Sequence, residues 1–248
     1  PLASPSILGL QSGALTATLL AILVSGVLTR TALIIFAFLG SFAAYSLATA
    51  IASLAGMTAT ALVLGGVAVS SMLSGLSYLL LYLVQTKLFG PPILILLGSV
   101  SIARTSEVPL YTIAILCGTA AALAMWKRIN AILLGDDFAT QLGYDPRATR
   151  LTLASIASVL SAISVSFVGI VSFVGLIAPH IARLIVGDDA RRHIPLSAIS
   201  GALIVLLADI FVRAISASSS LGELPISIPT SIVGASVLGY LVASRARG

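Results

Sequence analysis

FVGLIAPHIARLIVGDDARRH, residues 173–193, is an apolar run punctuated by glycine and proline. It carries Pro179-His180 and Arg183, then ends in a charged turn, Asp188-Asp189-Ala190-Arg191-Arg192-His193. In a water-soluble protein this would be one core helix among many charged surfaces. Its surroundings exclude that. The chain is 58 % hydrophobic and only 8 % charged, against about 25 % charge in ordinary soluble domains. With 248 residues and a mean hydropathy of +1.15, the protein lacks the polar groups to cover itself in water. Its outer solvent is lipid, and the stretch is part of a polytopic membrane bundle of all-α class.

About 20 apolar residues cross the hydrocarbon core as a helix. Eight spans are expected, at 7–28, 32–53, 60–83, 108–126, 151–169, 170–186, 196–215 and 226–243. Span 170–186 is short, and the Gly-rich junction FVGIVSFVGL (167–176) places a turn or unwound backbone at membrane depth. Such backbone survives in a bilayer only where protein satisfies its amides. LFGPPILILLGSVSIARTSE (88–107) is too short in its apolar part to cross, and Pro91-Pro92 block a helix on its N-terminal side. It reads as a surface or re-entrant helix.

An even number of spans leaves both termini on one side. That side collects Lys127, Arg128, Arg147, Arg150, Arg183, Arg191, Arg192, Arg245 and Arg247. The other receives only Arg30, Lys87, Arg104 and Arg213. The positive-inside rule therefore puts the termini in the cytoplasm. The whole of 1–248 makes one membrane domain without tandem repeats. Ser, Gly and Ala within the spans permit close helix packing. The net charge of +5 needs no nucleic acid to explain it. A single cysteine, Cys117, has no intrachain partner for a disulfide.

Two loops on the basic side are polar. KRINAILLGDDFATQLGYDPRATR (127–150) is the longer, and Gly143 followed by Pro146 suits two short helices on the membrane surface. VGDDARRHIP (186–195) suits a capped turn with its acidic end first.

Few residues invite chemistry. His180 behind Pro179 reads either as a metal or proton site or as a structural imidazole bonding a carbonyl freed by the proline. No further ligand stands at metal spacing, which favours the structural reading. Asp209 and Arg213, at i,i+4, form a local ion pair, or Asp209 orients Arg213 toward an acidic partner outside. Glu223, ahead of Pro225 and Pro229, suits a cap for backbone freed by those prolines. No P-loop, nucleophile elbow or metalloprotease signature is present. The expectation is no catalytic residue, no metal site, and no cofactor bound by this chain.

PLASPSILGLQSGA, LLGDDFATQLGYDPRATR, FVGLIAPHIARLIVGDDARRHIPLSA, GALIVLLADIFVR and ELPISIPTSIVGA occur in this order over nearly the whole chain. Together they resemble the permease subunits of binding-protein-dependent ABC importers, specifically the iron-siderophore, haem and vitamin B12 permease family. The resemblance implies a ten-helix permease, with these spans as its third to tenth and the first two helices missing. It implies a homodimer or pseudo-dimer, a cytoplasmic ATPase subunit on each permease holding ATP and magnesium, and an extracytoplasmic substrate-binding protein. The expected location is the prokaryotic cytoplasmic membrane.

By position, the resemblance assigns Gly135, Asp136, Asp137, Ala139, Leu142 and Gly143 to helices that couple to the ATPase. It assigns Arg213 to binding-protein docking. Leu2 and the Thr58–Thr60 region take the loops that pinch the pathway. The third and last spans line that pathway, with Ser70, Ser71 and Ser74 as its candidate polar lining. Where the family often has Gly-Pro-Ile-Gly-Phe, this chain has GIVSF (169–173), and it has Ser236 where Gly-Ala-Pro is common. The expected cargo is a metal chelate, a ferric siderophore first, with haem or cobalamin next. An ion-coupled secondary transporter, with Asp209 and His180 as titrating groups, is the alternative.

Overall fold

The computed structural model describes residues 6–26, 29–56, 58–88, 98–103, 105–218 and 224–245. Leu2, Glu223 and half of the expected 88–107 surface helix (89–97 and 104) lie outside them. Among the described residues there are helices and turns but no strand.

Ten α-helices follow one another among the described residues: α1 Leu10–Ser25, α2 Arg30–Leu54, α3 Ala59–Leu88, α4 Val108–Ala124, α5 Trp126–Leu133, α6 Asp136–Gln141, α7 Pro146–Val168, α8 Val174–Val186, α9 Ala190–Ser218 and α10 Ser227–Arg245. Short 3₁₀ turns at Val100–Ile102 and Thr105–Glu107 precede α4. Five of the helices (α2, α3, α4, α7 and α9) are long and apolar enough to cross a membrane. Shorter apolar helices α1, α8 and α10 complete the apolar bundle. Every expected span contains a helix, and the ends differ by several residues. The region expected as 196–215 begins at Ala190, because the charged ARRH sequence is already helical.

The bundle has two lobes that meet at α7. One packs α1, α2 and α3 together with α7, and the other packs α8 on α9, with α4 against α7 and α9. In the first lobe the α1–α2 crossing is set by small residues. Gly13 and Gly40 touch through their backbones, and Ala17 and Ala44 flank the contact. Small residues four apart on both helices allow this approach, so dispersion between backbones replaces side-chain interdigitation. Thr16 adds a polar tie to α3, its hydroxyl lying 2.8 Å from Ser77 Oγ. Leu15, Leu19, Ala37, Leu80, Ala162 and Val165 close an apolar core around the tie.

Irregular backbone gathers between the lobes. α7 stops at Gly169, and α8 starts from Phe173, which has φ +63°. A left-handed non-glycine residue costs about 1–2 kcal/mol, and here packing supports it: the Phe173 ring fills the space where Gly234 of α10 would carry a Cβ. Ser99 N–H donates to Val168 O at 2.8 Å, Ile226 N–H to Gly98 O at 3.0 Å, and Ser227 Oγ to Ile170 O at 2.8 Å. Three breaks distant in sequence thus satisfy one another, which is how unwound chain is tolerated in lipid. The FVGIVSFVGL junction behaves as expected from its glycines.

Pro179 does not break α8, which continues through it to Val186. The helix is interrupted upstream, at 169–172, so the expectation of a break at Pro179-His180 is corrected. Nor does His180 bond a freed carbonyl: its buried Nε2 has no hydrogen-bond partner among the described residues. His193, on α9, does so instead: its Nε2 lies 2.9 Å from Pro179 O. Only donation by the ring satisfies a carbonyl oxygen. The imidazole one turn into the neighbouring helix therefore takes the structural part first assigned to His180.

Candidate functional site

The loop 127–150 forms two helices, as expected. Each end is specified locally. α6 starts at Gly135, whose φ of +125° only glycine adopts without strain. Asp136 and Asp137 occupy its first turn, where the helix dipole favours negative charge. It ends in a Schellman motif: Tyr144 N–H donates to Ala139 O at 3.0 Å and Gly143 N–H to Thr140 O at 2.9 Å. Gly143, with φ +80°, makes this turn. Asp145 then caps α7, accepting from Arg147 N at 2.8 Å and Ala148 N at 3.1 Å, with Pro146 at the first helical position.

Arg150 of α7 clamps α6 from behind. It donates through Nη1 to Asp136 Oδ2 at 2.8 Å and through Nη2 to Asp136 Oδ1 at 2.6 Å. These hydrogen bonds hold the Asp136 carboxyl below the usual carboxylate range. Asp136 therefore fixes the loop to its own bundle, while Asp137 is exposed. Ala139 is fully buried.

The other tether is Asn130 of α5. Its Nδ2 donates to Asp189 Oδ1 at 2.9 Å, and its Oδ1 accepts from Ala190 N at 2.9 Å. That bond from Asn130, followed by one from Arg191 N–H, lowers the Asp189 carboxyl pKa. Asp189 caps the start of α9, as the acidic pair in VGDDARRHIP suggested. Trp126 lies under the charges of Lys127 and Arg191, at 5.5 and 5.7 Å from its ring centre. Arg183 pairs with Asp188 at 2.5 Å. The two polar loops form one platform at one end of the bundle.

The platform leaves an apolar face uncovered. Leu133, Leu134, Phe138 and Leu142 are 56, 71, 43 and 54 % exposed. Sequence reading named Leu142 alone. Phe138 stands one turn before it on α6, and Leu133 and Leu134 close α5 on the other side of Gly135. Exposed apolar clusters on a rigid, capped element mark an interaction surface.

A second feature lies between the lobes. A cavity of about 610 Å³ is lined by Ser70, Ser74 and Ser77 of α3, Ser227 and Ser231 of α10, and Ser12 and Gln11 of α1. Ser70 Oγ donates to Ser6 O at 2.7 Å, and Gly66 leaves space for the Ile7 carbonyl. Among the described residues none that lines this cavity is charged. The expected pathway residues Ser70 and Ser74 therefore share it, whereas Ser71 turns to the exposed side of α3. Thr58 and Thr60 stand apart at the exposed start of α3, where Thr58 Oγ1 accepts from Ala61 N at 3.1 Å. Gln11, Ser77 and Ser231 were missed, because a serine in an apolar helix gives no sign of which side faces a cavity.

Arg213 Nε donates to Asp209 Oδ2 at 2.7 Å along α9. Asp209 is 18 % and Arg213 59 % exposed by side chain. The expected i,i+4 pair is present, with its cation outermost. Among the described residues no three His, Cys, Asp or Glu side chains group as a metal site.

Comparison with known proteins now bears on these surfaces. Residues 1–244 match the model of the FecCD transport family. The cobalamin import system permease protein BtuC of Halobacterium salinarum is 35 % identical over 249 residues, which is 99 % of this chain and 65 % of that protein. The iron(3+)-hydroxamate import system permease protein FhuB of Bacillus subtilis is 33 % identical over 250 residues, covering 100 % of this chain and 64 % of that one. The ferric enterobactin transport system permease protein FepD of Escherichia coli is 31 % identical, covering 100 % of this chain and 73 % of its own. This chain thus spans about two thirds of the length of these relatives. A solved metal-chelate type ABC transporter in an inward-facing conformation superposes with a TM-score of 0.80 at 28 % identity, covering 98 % of this chain and 77 % of that one.

Proposed function

Because this chain belongs to the FecCD transport family, and is a multi-pass membrane protein, we propose that it is the transmembrane permease subunit of an ATP-driven importer of a metal chelate. A ferric siderophore is the first cargo to test, with haem or cobalamin next. Relatives named for iron-hydroxamate, enterobactin and cobalamin import support the class and leave the chelate open.

The observation that carries this reading is the uncovered face of Leu133, Leu134, Phe138 and Leu142 on a platform tied to the bundle by Asp136–Arg150 and Asn130–Asp189. An apolar patch held rigidly outside the membrane is a docking surface for another chain. A rigid tether is what converts movement of that chain into movement of helices. The docked chain is a cytoplasmic ATPase holding ATP and magnesium, and this chain supplies no nucleotide chemistry. The bundle works with a second permease copy and receives cargo from an extracytoplasmic binding protein, with Arg213 and Asp209 at the docking end. Loop 127–150 faces the cytoplasm.

Between the lobes, the uncharged serine-lined cavity is the pathway. Weak hydroxyl contacts suit a conduit in which the binding protein selects and ATP supplies the work. An ion-coupled secondary mechanism would need a carboxylate or imidazole facing that cavity, and its described lining residues include neither.

Copurification decides between these. An ATPase should accompany the tagged permease from membranes, and deletion of 135–145 should release it while the permease remains in the membrane. Undiminished association after the deletion would refute the coupling assignment.

A further inference from the structure

Another cavity, of about 670 Å³, lies away from the serine-lined one, between α2 and the first turns of α7. Its wall combines Arg147 and Arg150 with the hydroxyl side chains of Tyr45, Ser46, Thr49 and Ser53. We propose that this cleft binds the phosphoglycerol headgroup of an anionic membrane lipid.

Depth is the first argument. Arg147 is the second residue of α7, and Ser53 lies in the last turn of α2. The mouth therefore opens at the same end of the bundle as α6, which Arg150 holds. Tyr45 is eight residues deeper, or about 12 Å along the helix. Both walls belong to helices long and apolar enough to cross the membrane. Leu47, Ile51, Leu54 and Leu151 are exposed beside the cleft, at 42, 39, 90 and 53 %. Acyl chains would cover these apolar groups while the headgroup enters the polar wall.

Charge is the second. The Arg150 guanidinium is neutralised by its two hydrogen bonds to Asp136. Arg147 makes no side-chain ion pair among the described residues, and the nearby Asp145 carboxylate is occupied by the backbone N–H groups of Arg147 and Ala148. An unspent guanidinium over a basic interfacial cleft is complementary to a phosphodiester.

The hydroxyls give the third. Ser46 donates to Phe42 O at 2.8 Å, Thr49 to Ser46 O at 2.9 Å, and Ser53 to Ala50 O at 2.7 Å. Their hydrogens are committed to their own helix, and their oxygens remain as acceptors. Acceptors suit the hydroxyl donors of a glycerol headgroup better than a bare phosphate.

The test is native mass spectrometry of the intact protein released from nanodiscs of phosphatidylcholine mixed with phosphatidylglycerol. Phosphatidylglycerol should remain bound. Arg147→Gln should reduce that retention about tenfold, the equivalent of one charge-assisted contact, whereas Arg147→Lys should keep most of it and Arg128→Gln all of it. Soluble glycerol phosphate or inorganic phosphate at millimolar concentration should fail to displace the lipid. Equal retention in Arg147→Gln, equal retention of phosphatidylcholine, or displacement by a soluble phosphate would each overturn the proposal. None of these outcomes depends on whether an ATPase copurifies.

Discussion

Gly13 of α1 and Gly40 of α2 meet backbone to backbone, and each occupies the place where the other's Cβ would stand. A methyl group at either position has no direction in which to relax, because the atoms it meets are main chain and the Cβ of an alanine. Gly13→Ala and Gly40→Ala should each destabilise the protein by about 1–3 kcal/mol, the range of overpacking substitutions. Thermal unfolding in detergent would register the loss. Gly75→Ala, where no atom lies within reach of a new Cβ, is the control and should be close to neutral.

The clamp of Arg150 on Asp136 predicts a modest, pH-bounded effect. Both side chains are about half exposed, so Asp136→Asn should cost no more than about 1 kcal/mol. Arg150 lowers the folded-state pKa of Asp136 from its ordinary value of 3.8. The stabilisation is therefore complete above that unfolded value and is lost as pH falls through the lower folded one. Melting curves of wild type and Asp136→Asn should differ by a constant amount from about pH 8 to pH 5, and converge only in stronger acid.

Leu134 and Phe138 should separate docking from folding. Both are exposed, so Leu134→Asp and Phe138→Asp cost the isolated bundle little. Against a docked ATPase each forfeits burial worth about 1.5–3 kcal/mol, a tenfold or greater loss of affinity. The expected result is a normally folded permease that no longer retains the ATPase and transports nothing. Retention unchanged in both variants would place the docking surface elsewhere.

Asn130 joins α5 to the start of α9 with two hydrogen bonds. Asn130→Ala removes both, at about 1–2 kcal/mol in total, and loosens the platform without touching its apolar face. Amide hydrogen exchange should rise in residues 126–133, with ATPase binding retained but transport per ATP reduced. Unchanged exchange there would show that Asn130 is not the tether.

Asp209 is committed to Arg213 in the fold, and the serine cavity does not include it. Asp209→Asn should leave the pH profile of uptake where it was. A shifted profile would favour proton coupling over ATP as the source of work.

Much of this was legible in the residues themselves. α6 announces its start and stop through Gly135, Asp136, Asp137 and Gly143, because caps and left-handed turns use few residue types. The i,i+4 relation of Asp209 and Arg213 fixes their pairing whatever the bundle does. His180 was misread for the opposite reason: which imidazole reaches the Pro179 carbonyl depends on how α9 lies against α8. The serines of α3 pose the same problem, since Ser70, Ser71 and Ser74 are chemically alike and differ only in the neighbour each faces.

By itself, then, the sequence determined the solvent, the helical class, the approximate spans, the capped platform and the family resemblance. These follow from composition, period and local hydrogen-bonding chemistry, all of which act over a few residues. Tertiary structure alone decided that Gly98, Ser99, Val168, Ile170, Ile226 and Ser227 complete one another's hydrogen bonds, which serines share a cavity, and that Arg150 is paired where Arg147 is not. Backbone groups are the same in every residue but proline. Their long-range pairing leaves no mark on side-chain identity, so only the folded chain reveals it.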